Sequence, residues 1–176
     1  MPSAIDVHVA TTSVVLTISG AYCEWRGYFS VQIAQYVCRY VESQGWQMDS
    51  LPPRASVAEP FKEVVAVIHG EKAYITLRYE NGVHRVQWVP PIEKEGRVFT
   101  AKLLVNVMPQ AGHLAAAGIG PIRTYNIPQN RATDHRIGLT LNQLNLVMNG
   151  NLEPIIQALT AHFGEDSAER RTPGVN

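Results

Sequence analysis

The chain has 176 residues, 45% of them hydrophobic and 17% charged: enough for one domain or two small ones around a packed core, and too apolar for intrinsic disorder. Fifteen basic and fifteen acidic side chains cancel, which argues against a strongly basic nucleic-acid binder. The charge is uneven, however: residues 60–136 hold ten Lys/Arg against six Asp/Glu and each flank is acidic by two, so the middle permits phosphate contacts.

Met1–Ala10 carries Asp6 and His8 and lacks a basic stretch followed by an apolar one, so no signal peptide is expected. No apolar run is long enough to span a bilayer. Val14–Ile18, closed by Ser19-Gly20, reads as a strand. From Glu24 to Gln44 the apolar positions Val31, Ala34, Cys38 and Val41 recur at helical spacing, widened by Tyr28 and Val37, and Gly45 ends the helix. Cys23 and Cys38 stand fifteen residues apart in this region; a continuous helix would separate them by about 22 Å. A disulfide needs Cα atoms within roughly 7 Å, so reduced thiols and a cytoplasmic compartment are expected.

Trp46–Leu51 fits a strand, and Pro52-Pro53 and Pro60 bracket a loop. Val64–Ile68 is a continuous apolar run and a candidate buried strand, turned by His69-Gly70-Glu71. Ala73–Tyr79 alternates like a strand by periodicity alone. Leu103–Val107 is a further strand, and Gln110–Pro121, rich in Ala and Gly, reads as a linker. The remainder reads as helical: Leu141, Leu144 and Met148 form one stripe, Asn149-Gly150 stops it, and Pro154 opens a second stripe of Ile155, Ile156, Leu159 and Phe163. Residues 164–176 are polar and predict a disordered tail.

Arg123-Thr124-Tyr125-Asn126-Ile127-Pro128-Gln129-Asn130-Arg131-Ala132-Thr133-Asp134-His135-Arg136 resembles a signature of bacterial-type class I peptide chain release factors, Arg-Thr-Tyr-Asn-Phe-Pro-Gln-x-Arg-Val-Thr-Asp-His-Arg. Phe61-Lys62-Glu63, Gly82-Val83-His84-Arg85-Val86-Gln87, Gly96-Arg97-Val98 and Val105-Asn106-Val107-Met108-Pro109 match the same family in order. The resemblance implies a layered α/β (α+β) fold, the codon-recognition superdomain: a small sheet packed with helices, plus C-terminal helices. Residues 14–108 would form the codon-recognition part, 109–122 a short linker and 123–163 a C-terminal helical part, all in one core. It also implies that Ala73–Tyr79 begins a helix, overriding the periodicity.

Three departures from the family shape the functional expectation. The family's hydrolysis domain, with its Gly-Gly-Gln motif, belongs between Met108 and Arg123; fourteen residues fill that interval here, and no Gly-Gly-Gln occurs in the chain. The family's Pro-x-Thr reading tripeptide corresponds to Pro90-Pro91-Ile92, and its His-Thr pair to Phe99-Thr100. Ile92 has no hydroxyl, and an unpaired base edge in a closed site costs roughly 1–3 kcal/mol. The family's first-base helix tip, Gly-Thr-Gly-Gly-Asp-Glu, corresponds to Gly20-Ala21-Tyr22-Cys23-Glu24-Trp25, where the rings of Tyr22 and Trp25 would block close approach. The family's N-terminal helical domain has no counterpart either.

The expectation is a release-factor-like protein without hydrolytic activity that binds the ribosome or another RNA as a translation-related accessory factor. It would be no enzyme, and would use no metal and no cofactor. Possible RNA contacts are Arg85, Arg97, Arg123, Arg131, His135 and Arg136, although the same side chains could serve as internal ion-pair partners. Tyr22, Trp25, Trp88 and Phe99 could form an aromatic platform on the reading face, or pack as core or as a homodimer interface. A Ser–His–Asp arrangement is open, without a nucleophile-elbow context. The rival expectation is a protein-interaction module that kept the fold and no longer binds the ribosome. A continuous positive surface around Arg85, Arg97, Arg131 and Arg136 would favour RNA; internal ion pairs would favour the rival.

Overall fold

In the computed structural model, residues 13–20, 26–49, 63–109 and 120–169 are described. Eight strands form one sheet: β1 (Ser13–Gly20), β2 (Gln47–Asp49), β3 (Glu63–His69), β4 (Gly82–Trp88), β5 (Phe99–Pro109), β6 (Pro121–Asn126), β7 (Arg131–Asp134) and β8 (Leu139–Leu141). Their order is β2-β3-β1-β5-β4-β6-β7-β8. Neighbours are antiparallel except β4 and β6, which run parallel with a register shift at Val83/His84. The helices are α1 (Arg26–Ser43), α2 (Ala73–Leu77, continued by a 3₁₀ turn at Arg78–Glu80), α3 (Leu144–Met148) and α4 (Glu153–Glu169). The mixed α/β architecture is the one expected.

Alternation decides which side of the sheet is core. Val14, Leu16 and Ile18 of β1, Val64, Ala66 and Ile68 of β3 and Leu103, Val105 and Val107 of β5 all point inward and are buried. Helix α1 covers them with Phe29, Ile33, Tyr36, Val37, Tyr40 and Val41, a helical repeat. Of the stripe expected from sequence, Ala34, Val37, Cys38 and Val41 are buried; Tyr28 and Val31 lie outside the described side chains. Helix α1 ends at Gly45, in the left-handed region at φ +70°, with Gly45 N–H donating to the Glu42 carbonyl and Trp46 N–H to that of Val41. That pair of reversed bonds is a Schellman motif, and it lets the chain turn directly into β2.

Helix α3 ends the same way. Gly150 N–H donates to the Val147 carbonyl and Asn151 N–H to that of Leu146, with Gly150 at φ +96°. A Cβ on Gly150 would lie 2.7 Å from the Arg39 Cβ and 3.0 Å from α1 backbone atoms, so this glycine also sets how closely the α3–α4 turn packs on α1. Leu144, Val147, Leu152, Ile155, Ile156 and Leu159 join the same core as α1 and the sheet.

The C-terminal part departs from the helical expectation. Residues 121–141 form three strands, and Leu141 belongs to β8 rather than to a stripe with Leu144 and Met148. The inward positions of β6 and β7 are Arg123, Tyr125, Ala132 and Asp134, so the apolar period that marks a strand is missing. β4 escapes the strand rule because Gly82 and His84 occupy inward positions. Ala73–Leu77 is helical, as the family resemblance implied. Pro109 closes β5 and Pro121 opens β6, so the intervening connection is shorter than 109–122, and residues 110–119 lie outside the described residues. Helix α4 runs to Glu169, six residues into the expected tail. Cys38 is free and buried, its Sγ 3.7 Å from the Met48 sulfur; Cys23 lies outside the described residues.

Candidate functional site

The signature stretch folds around a buried polar cluster. Arg123, 0% exposed, donates from Nη1 to Glu80 at 2.7 Å and from Nε and Nη2 to Asp134 at 3.2 and 3.1 Å. Arg136 donates to both oxygens of Asp134, at 3.0 and 2.7 Å. Tyr36 of α1 donates to Glu80 at 2.9 Å and meets the Tyr125 hydroxyl at 2.9 Å. His84 has Nε2 2.8 Å from the Glu80 carbonyl, so that nitrogen carries the proton, and Nδ1 accepts from Tyr125 at 2.9 Å. One cluster thus ties α1, the 3₁₀ turn, β4, β6 and β7 together.

Its electrostatics follow from burial set against pairing. Burial alone would raise the Glu80 carboxyl, but the Arg123 charge and then His84 hold it below its usual range. Asp134 is likewise lowered, burial being outweighed by hydrogen bonds from Arg136 and the Arg123 charge. Burial would weaken the Arg123 charge, and Glu80 more than offsets this. Burial pushes His84 down to about 4 against the pull of Glu80, and pushes the Tyr125 hydroxyl up to about 12. Removing one partner of such a pair strands a buried charge and costs about 3–5 kcal/mol. A guanidinium with no solvent contact cannot reach a phosphate, so Arg123 is not an RNA contact.

The rest of the signature shapes the β6–β7 turn. Asn126 Oδ1 accepts from Gln129 N–H, Pro128 occupies the second position of a turn closed by Asn130 N–H to the Ile127 carbonyl, and Asn130 takes φ +49°. Asn130 then caps α3: its carbonyl accepts from Leu144 N–H and its side chain from Asn145 N–H.

The reading-loop equivalents lie between β4 and β5. Pro90 is buried, Pro91 and Ile92 are exposed (Ile92 81%), and Phe99 (43%) and Thr100 stand exposed at the start of β5. Arg97 turns onto Glu93 and Glu95 at 3.3 and 3.5 Å, so its charge is engaged inside the loop. Trp88 is core rather than platform: its ring lies 4.5 Å from Phe29 and 6.0 Å from Phe99. Tyr22, Glu24 and Trp25 lie outside the described residues.

The arginines therefore divide. Arg123, Arg136 and Arg97 are engaged by carboxylates; Arg85 and Arg131 are not among the described ion pairs. Arg85 Nε donates to Thr124 Oγ1 at 2.9 Å, and His135 Nε2 meets the same hydroxyl at 2.6 Å. Sequence reasoning missed Glu80, which carries no local signal of burial, and Lys102, which faces Arg85 across β4–β5. One Ser–His–Asp line does form: Ser13 Oγ meets His69 Nδ1 at 3.0 Å and His69 Nε2 meets Asp49 at 3.1 Å. Asp49 is 76% exposed, so its hydrated carboxylate fastens the short edge strand β2 to β3 rather than polarising a nucleophile.

Residues 12–105 match the PCRF domain family model. Peptide chain release factor 1 of Acidobacterium capsulatum is 29% identical over 84% of this chain and 65% of its own length. Its counterpart from Lactiplantibacillus plantarum is 31% identical over 82% and 64%, and that from Levilactobacillus brevis 33% over 74% and 60%. The chain thus spans less than two thirds of the length of these relatives. The Acidobacterium alignment runs over 233 positions against a chain of 176, so the relative holds stretches with no counterpart here. Among solved structures, RF2 of Thermus thermophilus shares the fold at TM-score 0.73 and 17% identity, over 84% of this chain and 67% of that one.

Proposed function

The chain belongs to the PCRF domain family and has the body of a class I peptide chain release factor, and we propose from that premise that it acts in translation as a ribosome-associated accessory factor that does not itself hydrolyse peptidyl-tRNA. One observation carries the reading. β5 and β6 sit on either side of β4 in an unbroken sheet, joined by a connection of residues 110–120, while the sequence holds no Gly-Gly-Gln. Short connections close at little entropic cost, so the body does not need an inserted domain to fold. Without positioned donors and a held water, the ester of peptidyl-tRNA keeps its uncatalysed barrier.

The rewritten loop supports a second point: binding that ignores the stop codon. Ile92 offers no hydroxyl to a base and Phe99 no ring nitrogen. The apolar tip of Ile92, Val98 and Phe99, with Arg97 turned onto its own glutamates, favours the alternative of a protein-interaction module for that loop. One assay separates these. Ribosomes programmed with a stop or a sense codon and carrying labelled peptidyl-tRNA are incubated with the protein and then pelleted. The expected outcome is co-sedimentation, with less than a tenfold preference for the stop codon and no peptide release above buffer. Stop-dependent release removes the non-hydrolytic reading, and absence from the ribosomal pellet favours the protein-interaction module.

A further inference from the structure

The face of the sheet away from the core carries an ordered array that the buried cluster does not use. Arg85 stands directly opposite Lys102 on β5 and Thr124 on β6. Thr124 faces Thr133, and Thr133 faces Thr140. These five side chains form one row across β5, β4, β6, β7 and β8, on the side opposite inward-facing Ala101, His84, Arg123 and Asp134. At about 4.8 Å per strand the row is about 19 Å long. Two residues along, Thr100, Gln87, Asn126 and Arg131 form a second row on the same face.

Three properties of this face point to one ligand chemistry. It has no carboxylate: the single acidic residue in these five strands is Asp134, which faces inward. Its cations are available: Lys102 and Arg131 are exposed, and neither they nor the Arg85 Nη groups take part in a side-chain hydrogen bond or ion pair among the described residues. The remaining groups of these two rows are hydroxyls and amides, which suit phosphate and ribose oxygens; the half-buried pair Val83 and Leu104 flanks them, and Thr124 is buried beneath Arg85. Zero net charge conceals the patch, because the acidic flanks lie elsewhere in the sequence.

We propose that this outer sheet face, with Arg85, Lys102 and Arg131 as its cations, binds the sugar-phosphate backbone of RNA without reading its sequence. The face adjoins the β4–β5 loop at Thr100, but its three cations lie outside that loop. It deepens the proposed function and rests on the reading of the chain as ribosome-associated, because it names the surface that meets the RNA.

The test uses the full chain and a fluorescein-labelled single-stranded RNA 20-mer of mixed sequence, read by anisotropy across a salt series. Lys102→Glu with Arg131→Glu changes two exposed side chains, and an unchanged thermal melt verifies the fold. The expected result is at least tenfold weaker binding by the double variant and a salt slope shallower by about 1.4, for two lost phosphate contacts on a single strand. Lys72→Glu, a charge reversal off this face, leaves binding unchanged. Equal affinity of wild type and double variant, or wild-type binding that ignores salt, overturns the proposal. Ribosome pelleting distinguishes it from the broader reading. A double variant that pellets like wild type removes the sheet face as the contact and leaves ribosome association standing. Salt-dependent binding of the 20-mer without pelleting of wild type supports the face and removes the ribosome.

Discussion

His84 is the residue whose environment makes a measurable claim. Its imidazole is fully buried, bonded at both nitrogens, and held neutral, burial having pushed its pKa from 6.5 to about 4 against the pull of Glu80. Between those values the unfolded chain binds a proton that the folded chain refuses. Stability is therefore full above about pH 6.5 and declines as pH falls toward 4, by on the order of 3 kcal/mol. Glu80 and Asp134 are shifted the other way, below the usual carboxylate range, so their contributions hold above about pH 4 and fade only below it. The window between 4 and 6.5 thus belongs to His84 within the cluster. Urea denaturation from pH 4 to 7.5 should show stability falling with pH in the wild type and a much flatter profile in His84→Gln. Equal slopes would assign the acid sensitivity to another group.

At the scale of elements, two helix ends use the same cap with different consequences. Gly45 ends α1 at φ +70° with no atom within 4 Å of where a methyl group would stand, whereas Gly150 ends α3 at φ +96° against Arg39 and Tyr40. Gly45→Ala meets only the left-handed backbone penalty, about 1–2 kcal/mol. Gly150→Ala adds the overpacking of the α1 contact, for a total of about 2–5 kcal/mol. Chemical denaturation of both variants should rank Gly150→Ala as the more damaging; the reverse order would mean that the α3–α4 turn does not dock on α1 as described. The glycines themselves were legible as stops in the sequence. What Gly150 packs against was not, because Arg39 stands on a helix that the local pattern cannot connect to it.

For the whole molecule, the parallel β4–β6 pairing matters most. It places the segment after the short connection inside the same sheet as the segment before it, and α3 and α4 share one core with α1. The two segments should therefore unfold together. Thermal unfolding followed by tryptophan fluorescence, with Trp46 and Trp88 both in the N-terminal segment, should coincide with far-UV circular dichroism, and calorimetric and van't Hoff enthalpies should agree. Two separated transitions would mean that residues 121–169 form an independent unit.

The sequence alone determined the elements whose apolar spacing is regular: β1, β3, most of α1, and the stripe Ile155, Ile156 and Leu159 of α4, all of which bury ordinary hydrophobic side chains. Local spacing reports burial only when the buried groups are apolar. β4, β6 and β7 turn His84, Arg123 and Asp134 inward, so they read as polar segments, and the family signature pointed to that stretch without saying which way its side chains face. Arg123 and Arg131 look alike in the chain; one is enclosed by Glu80, 43 residues away, and the other lies on the open face of the sheet. Only the tertiary structure made that division. The sign and worth of a charge depend on what surrounds it, and here the surroundings come from strands paired across long stretches of sequence.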